Sequence, residues 1–379
     1  MKIAILGGYG NTGIRIAKLL AEHSTVSIIL LGRNGEKAEK TAVSLGNQTG
    51  RDVTGLYADA SKPETLLPVL SDADMIVVAS SSSDCVKQVA QAALNTNTDY
   101  LDINLSTAHK IETLRSMEGE IVTKQLCFIT DGGFHPGVPA AMVHYAAQHI
   151  PTLTHANVGG SFQVNWKELH FSDNTITEFV TELLEMDYAS FVNGRWQKTW
   201  KNMKQFDFGG QAGRRQCAPF FMEEMRELPK QFPTLRETGF FIAGFSPVFD
   251  YVVMPVCFVL AKLLPKRPDI VGRLFLSGLR RFASKNQWAL LRLAAEGKVK
   301  EETAVLSLQL SHENGYDLTA IPIVACLRQY IAGHRSPGVW TQANFVEPVQ
   351  FFQDIQQMGV DISLTINDQK AQLLTKMIH

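Results

Sequence analysis

Glycine spacing near the start of the chain is the first pattern that could support chemistry. Gly7, Gly8, Gly10 and Gly13 follow the apolar stretch 2–6 and precede a segment with helical periodicity. A strand, a glycine turn and a helix in this order place an anion on the helix amino terminus. Two registers of the glycines fit a dinucleotide fingerprint, so the sequence predicts a dinucleotide-binding turn. A tight turn that binds nothing is the competing interpretation.

The type of dinucleotide is read from the end of the second predicted strand, 26–31. NAD sites usually carry an acid about 20 residues past the glycines. Here no acid follows the strand before Glu36, and Arg33 stands at that position. A guanidinium suits phosphate oxygens, so the sequence favours NADP, with NAD possible. A surface arginine at a strand end is the alternative for Arg33.

Other polar residues follow the carboxyl ends of predicted strands, where ligands of parallel sheets bind. The predicted cofactor contacts are Gly7, Gly8, Gly10, Asn11, Thr12, Gly13, Arg33, Asn34, Asp59, Ser80, Ser81 and Gly133. The serines could instead cap the helix that follows them.

Proton transfer requires a titratable group near the reacting end of the cofactor. His135, in the turn 131–137, and Asp102, at the end of the fifth predicted strand, are the predicted catalytic residues. A histidine titrates close to neutral pH and can act as acid or base. Local hydrogen bonding by His135 and helix capping by Asp102 are the competing interpretations. No spacing of His, Cys and carboxylates suggests a metal site.

The elements that must position these residues alternate along the first third of the chain. Strands are predicted at 2–6, 26–31, 53–58, 74–79, 99–103 and 125–130, and helices at 12–23, 35–45, 63–70, 84–95 and 107–119. Such alternation predicts an α/β fold with a Rossmann-type, doubly wound parallel sheet. An inserted α+β domain is predicted to follow. It includes strands near 155–166 and 303–311 and a helix near 318–332, before a tail with a helix near 347–358 and a strand at 360–366.

Length and composition set the number of domains and the class of protein. A chain of 379 residues predicts two domains. Their expected bounds are 1–150 for dinucleotide binding, 151–330 for substrate binding and dimerisation, and 331–379 for a return to the first domain. The net charge of −1 gives no reason to expect nucleic acid, and five scattered cysteines are typical of reduced thiols in the cytoplasm. The charged start gives no sign of a signal peptide.

The stretch 240–285 has an unusual composition. Its first part, 240–264, is strongly apolar, but Pro247, Asp250 and Pro255 interrupt it, so no bilayer-spanning helix is predicted. A buried core helix or an oligomer interface is the preferred interpretation. The basic amphipathic segment downstream could contact an anionic membrane surface, although a solvated basic face over packed apolar residues is commoner.

Several motifs together resemble the saccharopine dehydrogenase-like family, the saccharopine reductase group. They are GGYGNTG at 7–13, LLGRN at 30–34, YADAS at 57–61, YLDIN at 100–104 and GGFHPGVPA at 132–140, with NGYDLTA at 314–320 and SPGVW at 336–340. No motif of the family aligns within 165–300, where substrate residues would lie.

The resemblance implies an NAD(P)-dependent oxidoreductase, usually a homodimer, whose well-known members act at a carbon–nitrogen bond of an amino acid. We therefore expect hydride transfer between NADP(H) and a small or moderately apolar substrate. The alternatives are a non-catalytic dinucleotide sensor or scaffold and a peripheral membrane-associated reductase.

Overall fold

The computed structural model describes residues 1–80, 82–163, 166–167, 187–264, 267–282 and 287–374. The chain forms two compact units. The first consists of Met1–Tyr145, Tyr316–Gly359 and Leu373–His379, and the second of Ala146–Gly315 and Val360–Gln372.

The first unit contains a seven-stranded sheet in which every neighbouring pair is parallel. Its first six strands are β1 Lys2–Leu6, β2 Ser27–Gly32, β3 Val53–Tyr57, β4 Met75–Val78, β5 Asp99–Asp102 and β6 Cys127–Thr130. The helices between and after them are α1 Asn11–His23, α2 Gly35–Thr49, α3 Pro63–Leu70, α4 Val86–Thr96, α5 Ala108–Ser116, α6 Glu118–Thr123 and α7 Val138–His149. The predicted α/β fold with a parallel Rossmann-type sheet is confirmed.

Strands β1, β4 and β6 are short apolar runs whose residues are buried almost throughout. Such runs are typical of parallel strands that helices cover on both faces. The strand order β6-β5-β4-β1-β2-β3 reverses direction at β1 and β4. Doubly wound sheets bind ligands at this reversal, outside the carboxyl ends of the strands.

The second unit contains a ten-stranded, mostly antiparallel sheet. Its strands before residue 315 are β7 Thr152–Gln163, β8 Ala189–Val192, β9 Arg195–Lys198, β10 Lys204–Asp207, β11 Arg214–Pro219, β12 Glu237–Ala243, β13 Trp288–Val299 and β14 Glu302–His312. Its helices are α8 Leu228–Gln231, α9 Met254–Leu263 and α10 Pro268–Phe282, and a π-helical turn, Phe249–Val253, precedes α9. The alternation of polar and apolar residues in β14 matches its burial, because one face of the strand is covered.

The chain then returns to the first unit and leaves it again. It adds α11 Gly315–Ile331, β15 Gly338–Thr341, α12 Gln342–Phe345 and α13 Pro348–Gln357, and β15 extends the parallel sheet beside β6. The last strands, β16 Asp361–Ile366 and β17 Gln369–Ala371, join the sheet of the second unit through β14. The contact units thus divide at 145/146 and 315/316, and they assign 360–372 to the second unit, whereas the sequence predicts domain bounds at 150 and 330.

The interpretation of 240–264 as a buried core helix is wrong for the single chain, and the other part of that interpretation, an oligomer interface, stays a prediction. Residues 240–243 belong to β12, and the helical part from 249 onward buries only Phe249 and Cys257 among its residues. Its other side is exposed, most strongly at Tyr251 and Leu263. The apolar run is therefore divided between a sheet strand and a helix with one uncovered face. Within the described part of the chain, no helix is long and apolar enough to cross a membrane.

Candidate functional site

The glycine turn connects β1 to α1 through backbone contacts that leave no room for side chains. Gly7 has a φ of +84°, and the N–H groups of Gly7 and Gly8 both donate to the carbonyl oxygen of Leu31, at 2.8 and 3.1 Å. A Cβ atom on Gly13 would lie 2.2 Å from the carbonyl oxygen of Gly7. The turn therefore requires glycine for conformation at one position and for close helix packing at another.

The amino terminus of α1 is the strongest anion-binding feature of this region. Gly10 is its N-cap, no side chain accepts a hydrogen bond there, and the first turn contains no acidic residue. The N–H groups of a first helical turn have no partners within the helix, and they are attracted to negative charge. Asn11 and Thr12, both predicted contacts, are the first two residues of this helix.

Ser80 lies beside the glycine turn at the point where the sheet reverses direction. A Cβ atom on Gly7 would lie 3.0 Å from the Cα atom of Ser80. The hydroxyl groups of Ser80 and Ser82 are 2.8 Å apart. Two predicted contacts from different strands are thus brought together, while the predicted contact Ser81 lies outside the described residues.

The residue predicted to bind the 2′-phosphate of NADP, Arg33, follows β2 and lies in solvent. Arg33 is exposed, and its guanidinium has no hydrogen-bond or ion-pair partner among the residues that the structure describes. Asn34 caps α2, because its side chain accepts from the N–H of Lys37 at 2.9 Å. Because its amide oxygen already accepts this hydrogen bond, the side chain of Asn34 stabilises the start of α2.

Tyr9 shapes the same corner, although no sequence pattern singles it out. Its ring would lie 2.3 Å from a Cβ atom on Gly32, and its hydroxyl accepts from the N–H of Asn34 at 3.0 Å. The ammonium of Lys37 lies 4.9 Å from the ring centroid. Tyr9 therefore contacts both neighbours of Arg33 and fixes the backbone at that residue.

Asp59 follows β3 and adds a negative charge near this corner. Hydrogen bonds from the hydroxyl and the N–H of Ser61, at 2.8 and 3.0 Å, lower the pKa of Asp59, and the charge of Arg33 adds to this effect. The carboxylate is thus held in its local turn by Ser61.

A buried ionic cluster lies at the carboxyl ends of β5 and β6. The ammonium of Lys110 is 2.9 Å from Asp102, 2.7 Å from Asp131 and 2.7 Å from the carbonyl oxygen of Asn104. The other oxygen of Asp102 accepts from Thr130 at 2.7 Å. Both aspartates have side chains that are fully buried. Asp102, predicted as catalytic, therefore holds a lysine in place.

The charges in this cluster determine the protonation of Lys110. Burial alone lowers the pKa of Lys110, but the charges of Asp102 and Asp131 outweigh burial, so this pKa is raised. Burial raises the pKa of Asp131, and Lys110 and the hydroxyl of Ser106 oppose that shift. Lys110 thus stays protonated at neutral pH between two carboxyl groups. Sequence reasoning missed it, since a lysine on a helix is normally a surface residue.

The turn 131–137 is also tied to the carboxy-terminal part of the same unit. Gln342 is fully buried, accepts from the N–H of Gly133 at 3.0 Å and donates to its carbonyl oxygen at 3.1 Å. Gly133 and Gly137 have φ angles of +119° and +116°. Because the N–H of Gly133 is already bonded, its predicted contact with the cofactor would use other atoms of the turn.

His135 lies in this turn with a partly buried ring. Desolvation lowers its pKa from 6.5 to about 4. The ring lies edge-on to Phe134, with centroids 5.7 Å apart. At neutral pH the imidazole is therefore uncharged, so it can form hydrogen bonds but holds no extra proton to donate.

The residues present fit a dinucleotide with a 2′-phosphate. Uncapped N–H groups at α1 suit the pyrophosphate, and the unpaired guanidinium of Arg33 suits a second anionic group on the neighbouring strand. Both features lie in the first unit and follow adjacent strands.

The family comparison matches this part of the chain. Residues 3–126 match the saccharopine dehydrogenase NADP binding domain family. This match confirms the predicted cofactor, NADP. A search of curated protein sequences finds no match.

A solved structure shows the same fold over nearly the whole chain. The apo saccharopine dehydrogenase (L-Glu forming) from Saccharomyces cerevisiae is 14% identical with a TM-score of 0.66, over 96% of this chain and 99% of that one. A mutant meso-dapdh from Clostridium tetani is 12% identical with a TM-score of 0.48, over 93% of this chain and 95% of that one.

Proposed function

We propose that this chain is a saccharopine dehydrogenase-like, NADP-dependent oxidoreductase, and we derive its reaction on that basis. The reaction is hydride transfer between NADP(H) and a small or moderately apolar substrate at a carbon–nitrogen bond. The observation that carries the proposal is the uncapped amino terminus of α1 behind the glycine turn, with the unpaired Arg33 on the next strand. The yeast protein of the same fold is by name an L-Glu-forming dehydrogenase, which supports a carbon–nitrogen bond as the reacting group.

The cofactor supplies the hydride, and the protein supplies binding, orientation and proton handling. In the proposal, the N–H groups at α1 hold the pyrophosphate and Arg33 holds the 2′-phosphate. Ser80 lines the site beside Gly7. These contacts fix the nucleotide half, so that the reacting ring is directed toward the ends of β5 and β6.

The turn 131–137 then forms one wall for the reacting groups. Lys110 and Gln342 fix this turn from two sides, which gives it a defined geometry before any ligand binds. We assign Asp102 and Lys110 a positioning role, because their charged groups are buried and engaged with each other. His135 is proposed to hydrogen-bond the substrate as a neutral ring, which its lowered pKa supports.

Isotope transfer tests the reaction class. The protein is mixed with NADPH carrying deuterium at C4 and with a panel of 2-oxo acids plus ammonia or amino acids and of apolar ketones plus amines. We expect deuterium at the new carbon–nitrogen centre of one product, detected by mass spectrometry. A non-catalytic sensor would bind NADPH and transfer no deuterium to any panel member.

The role of His135 is tested once a substrate is found. His135→Asn should raise KM and leave the pH profile of kcat unchanged, because a neutral hydrogen-bonding ring is replaced by a neutral amide. Loss of a limb of the kcat profile in the variant would instead show that His135 transfers the proton.

A further inference from the structure

A helical hairpin in the second unit has a face that the fold leaves uncovered. The hairpin consists of the π-helical turn Phe249–Val253 with α9, followed by α10. Its inner side is a compact cluster built from both helices, in which Phe249, Cys257 and Phe275 are buried. The two helices therefore have a core of their own, and the outer side of α9 is not needed to form it.

The outer side is apolar along its whole length. Its exposed residues are Val248, Tyr251, Val252, Val256, Val259 and Leu263. Positions 252, 256, 259 and 263 recur at helical spacing and so form one stripe. Exposure reaches 57% at both Val252 and Val259 and 70% at Leu263. No charged residue occurs between Asp250 and Lys262, so this stripe has no polar residues of the kind that normally cover a surface helix.

The hairpin also carries exposed cations. Exposed basic residues occur at Lys262 in α9 and at Arg267, Arg273, Arg280 and Arg281 farther along the chain. The acid facing them is Asp269, which pairs with Arg267 and Arg273 at 3.0 and 3.2 Å. Among the described residues of the hairpin, basic residues therefore outnumber the acidic residues Asp250 and Asp269.

Charge distinguishes between the two surfaces that could cover such a stripe. A second copy that packs through the same patch would place the basic residues of one protomer against those of its partner, because a two-fold interface is self-complementary. An anionic lipid surface matches both features, since it accepts apolar side chains below its headgroups and attracts Lys and Arg.

We propose that the hairpin 248–282 docks this protein onto anionic phospholipid bilayers. The apolar stripe of α9 enters the boundary between headgroups and acyl chains, and the basic residues of α10 contact the phosphate headgroups. The helix lies in the plane of the interface, in accord with the finding that no described helix is long and apolar enough to cross a membrane. This inference is independent of the reaction proposed above.

Vesicle co-sedimentation of the full chain tests the proposal. We expect binding to vesicles of phosphatidylcholine with phosphatidylglycerol, weaker binding to phosphatidylcholine alone, and release by high salt. Val252→Asp with Val259→Asp should reduce the partition coefficient at least about tenfold, since two charges replace inserted apolar side chains.

The chain offers a matched control for these substitutions. Val43 is also 57% exposed and Val305 is 46% exposed, but they lie on α2 and β14. Val43→Asp with Val305→Asp adds the same charge and should leave the partition unchanged. Circular dichroism melting measured in parallel reports whether each variant is folded.

Three outcomes would overturn the proposal. The first is an equal effect of both double variants, and the second is no binding of the wild type to anionic vesicles. The third is self-association in sedimentation equilibrium that Val252→Asp with Val259→Asp abolishes, which would make a second copy the occupant. Arg273→Gln with Arg281→Gln should reduce the preference for anionic over neutral vesicles, and an unchanged preference would remove the electrostatic part.

Discussion

Arg33 illustrates how one side chain can select a cofactor. Its guanidinium is exposed and has no partner among the described residues, while the backbone that carries it is fixed by the cap at Asn34 and by Tyr9. A preorganised position with an unpaired charge is suited to a phosphate, because little is lost when the contact forms.

Arg33→Ala is predicted to weaken NADPH binding and leave NADH binding nearly unchanged. A charge-assisted contact contributes roughly 1.5–3 kcal/mol, which is about tenfold to a hundredfold in affinity. Titration calorimetry with both cofactors measures the difference. Arg195→Ala, at another exposed arginine, should change neither affinity. Equal losses for the two cofactors would show that Arg33 does not contact the 2′-phosphate.

His144 is predicted to make the protein sensitive to acid. Desolvation lowers its pKa from 6.5 to about 4. The unfolded chain therefore binds more protons between these values, and stability decreases as the pH falls from 6.5 toward 4. One such group changes the free energy of unfolding by up to about 1.4 kcal/mol per pH unit.

Denaturant titrations at several pH values test the contribution of His144. His144→Gln removes the titrating group, so its free energy of unfolding should depend less steeply on pH than that of the wild type. Above pH 6.5 the contribution of His144 is constant, and the two slopes should agree. Parallel curves over the whole range would contradict the shift.

At the scale of elements, the connection of β1 to α1 depends on contacts between backbone atoms. A Cβ atom on Gly13 would lie 2.2 Å from the carbonyl oxygen of Gly7 and 2.9 Å from the Cα atom of Gly8. Neither atom can move without displacing the turn. The same close contact therefore sets both the packing of α1 on β1 and the position of the N–H groups that would bind phosphate.

Gly13→Ala is predicted to lower NADPH affinity at least about tenfold, because the helix amino terminus must move away from the turn. Gly119→Ala is the matched control, since a Cβ atom there meets nothing within 4 Å. In helix α6 the control should be neutral or stabilising by about 0.5–1 kcal/mol. A folded Gly13→Ala protein with wild-type affinity would contradict the assignment of the turn.

At the scale of the whole molecule, the dinucleotide-binding unit is completed by residues far along the chain. Asp99 in β5 is fully buried and accepts from Tyr330 at 2.6 Å, from the N–H of Cys127 at 2.9 Å and from Arg335. Gln342 and β15 come from the same distant segment. The first unit therefore needs 316–359 for its sheet edge and for its buried charge.

A fragment of residues 1–150 is predicted to lack cooperative folding and NADPH binding. Within it Asp99 would be buried without Tyr330 and Arg335, and a buried carboxylate that loses its partners is destabilising. Circular dichroism melting and NADPH titration compare the fragment with the full chain. A fragment that melts cooperatively and binds NADPH would show that the predicted bounds 1–150 define an independent domain.

The sequence by itself determined the parts of this protein that depend on local pattern. Buried strands, helical periodicity and the glycines at 7–13 specify the first five strand–helix steps of the sheet within a few residues, since each step is encoded by neighbours in the chain. Arg33 and the missing acid after the second strand also indicated NADP, because both are read directly from the residues that follow that strand.

Only the tertiary structure decided the features that join distant residues. The pairing of Lys110 with Asp102 and Asp131, the contact of Gln342 with Gly133 and the addition of β15 each depend on chain segments that meet only after folding. The exposure of one face of α9 was likewise visible only in the folded chain. Periodicity shows that a residue is apolar, whereas burial depends on which other segment packs against it.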